Sequence, residues 1–177
     1  MSNYPDLKLY IGGAWRKTSD DMPVVNPATE VEIGRLPRKI DVLAIVNSAE
    51  SQTRNSLFPH FRLHNQVEFK GQRDPLTLWD YAHILGRSHF YIGEHKVPYE
   101  DMTVTIVCAG KPRTLLEQSS LAQMFIPKGD GYYQTQTLPI VTLIVINELP
   151  ITTQNYPLLI FATNKRKLQQ SLTQILS

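Results

Sequence analysis

Polar and apolar residues alternate over short segments in the first half of the chain, and this pattern predicts strands. Residues 29–34 and 67–70 alternate with the period of a half-buried strand. Residues 40–46 form an apolar run with a single carboxylate, Asp41, near its start. We therefore expect three strands before the first helix.

The clearest helix signal begins at Thr77. Thr77 and Asp80 have the spacing of a capping box, in which each side chain accepts a hydrogen bond from the backbone N–H of the other. Apolar residues then recur at the spacing of a helix face, and Gly93 is expected to end it. The residues that carry this spacing are Leu78, Trp79, Ala82, Leu85 and Gly86.

The remaining segments continue the alternation of strands and helices. β-Branched and aromatic runs predict strands, and periodic apolar residues predict helices. The predicted strands are 102–108, 131–135 and 140–146, and the predicted helices are 113–124, 158–162 and 168–176. This order of elements predicts a mixed α/β fold: strands, helix, strand, helix, strands and helix.

Composition limits the class of protein. The chain has 177 residues, of which 42% are hydrophobic and 19% are charged, with a net charge of +2. Such a chain can fold as one domain around a sizeable core, and global disorder is not expected. A net charge near zero does not by itself indicate nucleic-acid binding, so that role would need a local basic surface.

Compartment and membrane signals are absent from the sequence pattern. The single cysteine, Cys108, excludes an intramolecular disulfide and a zinc site built from several cysteines. Apolar runs stay well short of the roughly 18 residues that a membrane helix needs, so no membrane partner is expected. Residues 1–10 lack the features of a secretion signal. We therefore expect a cytoplasmic protein.

Three charged residues form the candidate site. Asp41 opens an apolar strand, while Glu68 and Lys70 lie two residues apart on another and so share one face. If these strands are neighbours, the three side chains converge. Two carboxylates, with the backbone carbonyl of Phe69, can hold Mg²⁺, and Lys70 would stabilise negative charge on a phosphate.

The same residues also fit a structural role. Asp41 would then cap a turn beside Arg38 or Lys39, and Glu68 and Lys70 would form a solvated pair on an edge strand. A carboxylate close to a core is costly without a cation or hydrogen bonds, which favours the functional interpretation of Asp41.

Three segments, 38–45, 61–71 and 74–81, resemble the PD-(D/E)XK nuclease superfamily. The similarity continues in order over roughly residues 29–177, and more narrowly it resembles uncharacterised prokaryotic proteins grouped with transposases and recombination-promoting nucleases. The resemblance implies a restriction-endonuclease-like mixed β-sheet flanked by helices. It also implies hydrolysis of DNA by a Mg²⁺-bound water, with Mn²⁺ as the alternative metal.

The resemblance assigns roles to the candidate residues. Asp41 and Glu68 would be the metal ligands, and Lys70 would be the catalytic lysine. The expected contacts with nucleic acid come from basic residues near this site. They are Arg62, Arg73 and Arg87, with Phe58 and Phe61 as stacking platforms. The alternative interpretation of this basic and aromatic stretch is an ordinary polar loop.

Residues 8–38 are similar to a different family, the N-terminal arm of aldehyde dehydrogenases. No glycine-rich phosphate loop opens a helix, and Cys108 lies in a β-branched strand, so dehydrogenase activity is not expected. Residues 1–28 are instead predicted to be an appendage to an α/β domain at 29–177. Tyr10, Ile11 and Trp15 would pair in an added hairpin, and its self-association would give a homodimer.

Three functions therefore remain open. The first is a Mg²⁺-dependent DNA endonuclease. The second is a protein with the nuclease fold that does not cut and serves as a binding module, since residues 1–28 show no helical period for the first helix of that fold. The third is an aldehyde-dehydrogenase-like oligomerisation fragment without dehydrogenase activity.

Overall fold

The computed structural model describes residues 8–11, 14–17, 21–25, 32–37, 41–45 and 58–175. Its first two hairpins each form a two-stranded sheet. β1 (Lys8–Ile11) pairs with β2 (Ala14–Lys17) in antiparallel register, with Tyr10 opposite Trp15, and this pairing confirms the predicted hairpin.

The second hairpin crosses the expected domain boundary. β3 (Asp21–Val25) pairs with β4 (Glu32–Pro37), so residue 28 falls between two paired strands. The strand predicted at 29–34 begins at Glu32, and residues 29–31 lie outside the described residues. The division at residue 28 stays a prediction.

A six-stranded mixed sheet is the centre of the fold. Its strands are β5 (Val42–Ile45), β6 (His64–Lys70), β7 (Met102–Cys108), β8 (Phe125–Gly129), β9 (Tyr132–Thr135) and β10 (Ile140–Val145). They are arranged in the order β5-β6-β7-β10-β9-β8. β6, β7 and β10 are mutually parallel, whereas the other pairs are antiparallel.

Helices flank this sheet, as the predicted α/β class requires. The helices are α1 (Leu78–His95), α2 (Tyr156–Leu159) and α3 (Lys165–Ile175). Residues of α1 share one apolar core with alternate residues of β7 and β10, and residues of α2 share a second core with the intervening ones. The β-branched strands predicted at 102–108 and 140–146 therefore lie buried between two layers. Within the ranges described above, no helix is long and apolar enough to cross a bilayer.

The expected capping box starts α1. Thr77 Oγ1 accepts from Asp80 N at 3.1 Å, and Asp80 Oδ2 accepts from Thr77 N at 2.9 Å. The buried face of α1 differs from the predicted one, because it consists of Tyr81, Ile84, Ser88 and Ile92. Trp79 faces solvent, and the helix continues past Gly93 to His95. A polar residue, Ser88, belongs to the buried face because it bonds Gln66 on β6, and apolar spacing alone does not reveal such a contact.

The helix predicted at 113–124 is wrong for most of its length. One π-helical turn, Thr114–Gln118, and one 3₁₀ turn, Ala122–Met124, replace it. Ser119 separates them, because its Oγ donates to Leu115 O at 2.8 Å and accepts from Leu121 N at 3.2 Å. A serine that bonds nearby backbone groups in this way competes with helical hydrogen bonds. β8 follows directly and has no counterpart among the predicted strands.

The loop before β6 is held by a buried amide and a histidine. Asn65 is fully buried, and its Oδ1 accepts from Arg62 N at 2.7 Å and from Thr103 Oγ1 at 2.6 Å. His60 Nε2 lies 2.7 Å from Thr105 Oγ1, on the face of the sheet opposite α1. Burial lowers the pKa of His60 to about 4, so the folded protein holds a neutral imidazole.

We predict that His60 makes stability depend on pH. Its pKa falls from the ordinary 6.5 in the unfolded chain to about 4 in the folded protein. The contribution of His60 to the free energy of unfolding is therefore fully present above pH 6.5. It is lost as the pH falls toward 4, which lowers that free energy by up to roughly 3 kcal/mol. Urea unfolding at several pH values should show this slope in the wild type, and His60→Gln should flatten it. The exposed His83→Gln is the matched control, and equal slopes in wild type and His60→Gln would contradict the prediction.

Candidate active site

Asp41 and Glu68 lie near each other where β5 and β6 stop pairing. The antiparallel register of β5 and β6 sets Val42 opposite Val67, and this is its last pair toward the end of β6. Asp41 immediately precedes β5, and Glu68 follows Val67 on β6. Asp41 is exposed, and its Oδ2 accepts a hydrogen bond from Phe69 N at 2.9 Å. The neighbouring strands that this site requires are therefore present.

Glu68 is a buried carboxylate. Only 4% of the residue is exposed, and its Oε1 accepts from Gln66 Nε2 and Arg87 Nη2, both at 2.9 Å. Burial raises the pKa of Glu68, Arg87 opposes that rise, and the charge of Asp41 adds to it. The effect of Asp41 means that the two carboxylates lie within electrostatic range of each other.

Lys70 lies between two aspartates. Its Nζ is 3.0 Å from Asp74 Oδ2 and 3.1 Å from Asp80 Oδ1. Partial burial lowers the pKa of Lys70, but the hydrogen bonds and charges of Asp74 and Asp80 outweigh it, and the net shift is upward. Partial burial raises the pKa of Asp80, but its bonds to Thr77 and Lys70 outweigh it and lower the pKa below the ordinary value. Lys70 is therefore a charged ammonium at neutral pH.

The structure bears on both interpretations of these residues. Glu68 and Lys70 point to the face covered by α1, as their spacing predicted, since each bonds a residue of that helix. β6 lies between β5 and β7, so the expectation of a solvated pair on an edge strand is wrong, because an interior strand under a helix buries its side chains. Arg38 and Lys39, the expected partners of Asp41, lie outside the described residues.

The three predicted nucleic-acid contacts lie in different places. Arg87 lies on α1 against Glu68, with 23% of its side chain exposed. Arg73 is exposed in the loop between β6 and α1, beside Asp74. Arg62 is exposed before the first residue of β6, at the strand end away from Lys70. Arg73 and Arg87 thus belong to the surroundings of Lys70 and Glu68, and Arg62 does not.

The site lies where parallel strands end. Lys70 closes β6, and its carbonyl oxygen accepts from Ala109 N, just after β7, at 2.9 Å. Asn147 N, just after β10, donates in turn to Ala109 O at 3.2 Å. Ligands of open α/β sheets bind outside the carboxyl ends of such strands. β5 runs the other way, so Asp41 at its start reaches this same edge.

The donor set fits a hard cation with few protein ligands. Among the residues that the structure describes, no group of three or more His, Cys, Asp or Glu side chains could hold a metal. Two carboxylates suffice for Mg²⁺, which commonly keeps several waters and takes phosphate oxygens as further ligands. Asp41 is accessible for this role, while Glu68 Oε1 already serves Gln66 and Arg87.

Sequence reasoning missed the residues that hold the charged pairs. Asp80 was recognised as a helix-capping residue, but its second oxygen also binds Lys70. Asp74 had no signal beyond its four-residue spacing from Lys70. Gln66 lies two residues before Glu68 on the same strand, and that spacing alone would have revealed it as a residue on the same face.

Arg87 has one polar atom that the structure leaves without a partner. Its Nε is buried and has no hydrogen-bond partner among the described residues, although Nη2 binds Glu68. The pair is therefore held through one end of the guanidinium. A buried ion pair stabilises little in itself, but removing one partner leaves an uncompensated charge.

We predict a strong energetic coupling between Glu68 and Arg87. Arg87→Met should lower the free energy of unfolding by about 3 kcal/mol, because Glu68 would stay buried without its cation. Adding Glu68→Gln should restore part of that loss, with a coupling of about 1–3 kcal/mol in a double-mutant cycle measured by urea unfolding. The exposed Arg113→Met serves as control and should change stability by less than about 0.5 kcal/mol. Additive effects of the two substitutions would contradict the coupling.

The chain was also compared with known proteins. No family model, no curated protein and no solved structure matches it. The assignment of a function therefore depends on the residues and geometry of this chain alone.

Proposed function

We propose that this protein is a Mg²⁺-dependent nuclease that hydrolyses the phosphodiester bonds of DNA. The observation that supports the proposal is that Asp41, Glu68 and Lys70 lie at one edge of the sheet. Asp41 immediately precedes β5 beside the end of β6, and Lys70 lies two residues beyond Glu68 along β6, on the same face. Two carboxylates and an ammonium are the protein groups that such hydrolysis needs.

The chain's own residues have separate tasks in this proposal. Asp41 and Glu68 would hold the cation, and bound Mg²⁺ would supply charge stabilisation and an activated water. Asp41 is oriented by the backbone N–H of Phe69, which fixes its carboxylate at the start of β5. Lys70, kept charged by Asp74 and Asp80, would hold the scissile phosphate and stabilise the negative charge that develops on its oxygens.

Substrate binding would rearrange two ion pairs. Arg87 neutralises Glu68, so a cation at Glu68 would share or displace that contact. Asp74 is 69% exposed at its side chain and lies on a loop, so its bond to Lys70 can exchange for a phosphate oxygen with little burial lost. Asp80 would keep Lys70 in position, because its other oxygen closes the capping box of α1.

A second candidate function is supported by the same ion pairs. The charges of Glu68 and Lys70 are already paired with other side chains of the same chain. A protein in which Arg87 permanently takes the place of the cation would bind nucleic acid or another partner without cutting it. Metal binding separates the two functions, because only the nuclease needs a metal cation at Glu68.

We predict metal-dependent cleavage that requires Asp41 and Lys70. The full chain should nick supercoiled plasmid in Mg²⁺ or Mn²⁺ and not in a chelator. Asp41→Asn and Lys70→Met should each lower the rate by at least about 100-fold, because each removes a group that stabilises developing charge. Asp41→Asn keeps a carbonyl oxygen that can accept from Phe69 N, so the fold should persist.

The matched control is Glu100→Gln. It makes the same change of carboxylate to amide at an exposed position before β7, at the amino end of that strand. If Asp41→Asn cleaved the plasmid as fast as the wild type, the proposal would be contradicted, because the cleavage would then come from other residues or from a contaminant. A wild type that neither cleaves nor binds Mg²⁺ or Mn²⁺ in calorimetry would instead favour the binding module.

A further inference from the structure

Trp79 is exposed next to the candidate site. The residue is 77% exposed, the largest exposure among the big apolar residues that the structure describes. It precedes Asp80, whose Oδ1 binds Lys70 Nζ at 3.1 Å. An indole that is mostly exposed forgoes the large stabilisation that its burial would give. Trp79 therefore presents an accessible aromatic surface one residue away from a side chain of the charged site.

A second ring accompanies Trp79. His83 is exposed and lies four residues later on α1, so the two side chains project from the same side of the helix. We call these two residues the ring pair. Ala82, between them, is also exposed and small, so it does not cover the indole. The result is an open surface of flat side chains that starts at the site and continues along α1.

The expected stacking platforms are occupied by each other. Phe58 and Phe61 stack with ring centroids 4.8 Å apart and planes 5° from parallel. Phe61 is only 8% exposed and belongs to the core that α2 shares with the sheet, on the face away from α1. Phe58 and Phe61 therefore pack together on the face of the sheet away from α1, whereas the ring pair lies on α1, the helix that binds Lys70.

The charges around the site favour stacking over electrostatic attraction. Lys70 is offset by Asp74 and Asp80, and Arg87 is offset by Glu68. Arg73 adds one exposed cation on the loop that leads to α1. The grip of a protein on duplex DNA comes mainly from many phosphate contacts, and this surface offers few. Bases stack on aromatic rings only where they are unpaired, with about 1–3 kcal/mol for each base.

We propose that the ring pair binds an unpaired nucleobase, so that the substrate of this site is single-stranded DNA or a single-stranded segment beside a duplex. The proposal deepens the proposed function and rests on it for the choice of a polynucleotide. Trp79 stacks one base, His83 extends the surface, and Arg73 contacts a phosphate between that base and Lys70. Duplex DNA is a poorer ligand because its bases already stack on each other.

Binding can be measured without cleavage, because a chelator removes the metal. The chain has two tryptophans, so the Trp15→Phe variant reports Trp79 alone. An oligothymidylate of about 12 nucleotides, within the length that single-strand sites cover, should quench this fluorescence. A blunt-ended hairpin duplex with the same number of nucleotides should bind at least about 10-fold more weakly than the oligothymidylate. Trp79→Ala, followed by anisotropy of the labelled oligonucleotide, should weaken binding by roughly 5- to 100-fold, and Trp79→Phe should restore part of it.

The control is Phe161→Ala. Phe161 is 59% exposed and follows α2, whose core lies on the opposite face of the sheet, so its removal should leave oligonucleotide affinity unchanged. The proposal would be overturned if the duplex quenched the fluorescence of Trp79 as strongly as the single strand does. The proposal would also be overturned if Trp79→Ala bound the oligonucleotide as tightly as the parent protein. The same holds if the protein bound no oligonucleotide but formed a dimer in sedimentation that Trp79→Ala abolished.

The outcome is independent of the cleavage test. Oligonucleotide binding through Trp79, with no cleavage of that oligonucleotide or of plasmid in Mg²⁺ or Mn²⁺, would support the ring pair as a base-binding surface and remove the nuclease. Nicking without quenching of Trp79 would support the nuclease and overturn the ring pair as a base-binding surface.

Discussion

A buried carboxylate on an interior strand is the constraint on which the centre of this structure depends. Glu68 has 4% exposure on β6, and a charge at such a position is stable only with a cation or several hydrogen bonds. Arg87 and Gln66 provide them, and Arg87 comes from α1. The orientation of α1 on the sheet is therefore tied to the neutralisation of one side chain.

Polar contacts continue along the same interface. Gln66 also donates to Ile84 O at 3.3 Å, and Ser88 Oγ donates to Gln66 Oε1 at 2.8 Å. Each buried side-chain nitrogen or oxygen between β6 and α1 has a hydrogen-bond partner, except Arg87 Nε. Satisfied buried networks specify one arrangement of a helix on a sheet, because any sliding leaves groups unpaired. The same rigidity holds Lys70 and Asp41 at a common edge.

Asp80 connects helix formation to the candidate chemistry. One of its oxygens closes the capping box with Thr77, and the other binds Lys70. The start of α1 and the position of the ammonium are thus set by one carboxylate. The capping role was predictable from the spacing of Thr77 and Asp80, but the contact with Lys70 was not, since it joins two elements separated by a seven-residue loop.

Local patterns in the sequence determined the elements whose causes are local. The β-branched runs of β7 and β10 and the start of α1 follow from side-chain shape, alternation and capping within a few residues. The pairing of Glu68 with Arg87, the burial of Ser88 and the exposure of Trp79 depend on which strand lies beside which and on the face that α1 turns to the sheet. Apolar spacing predicted a face of that helix that includes Trp79, and the helix buries a different one. Only the tertiary structure selected one, because buried charges must find partners from other elements before the helix can dock.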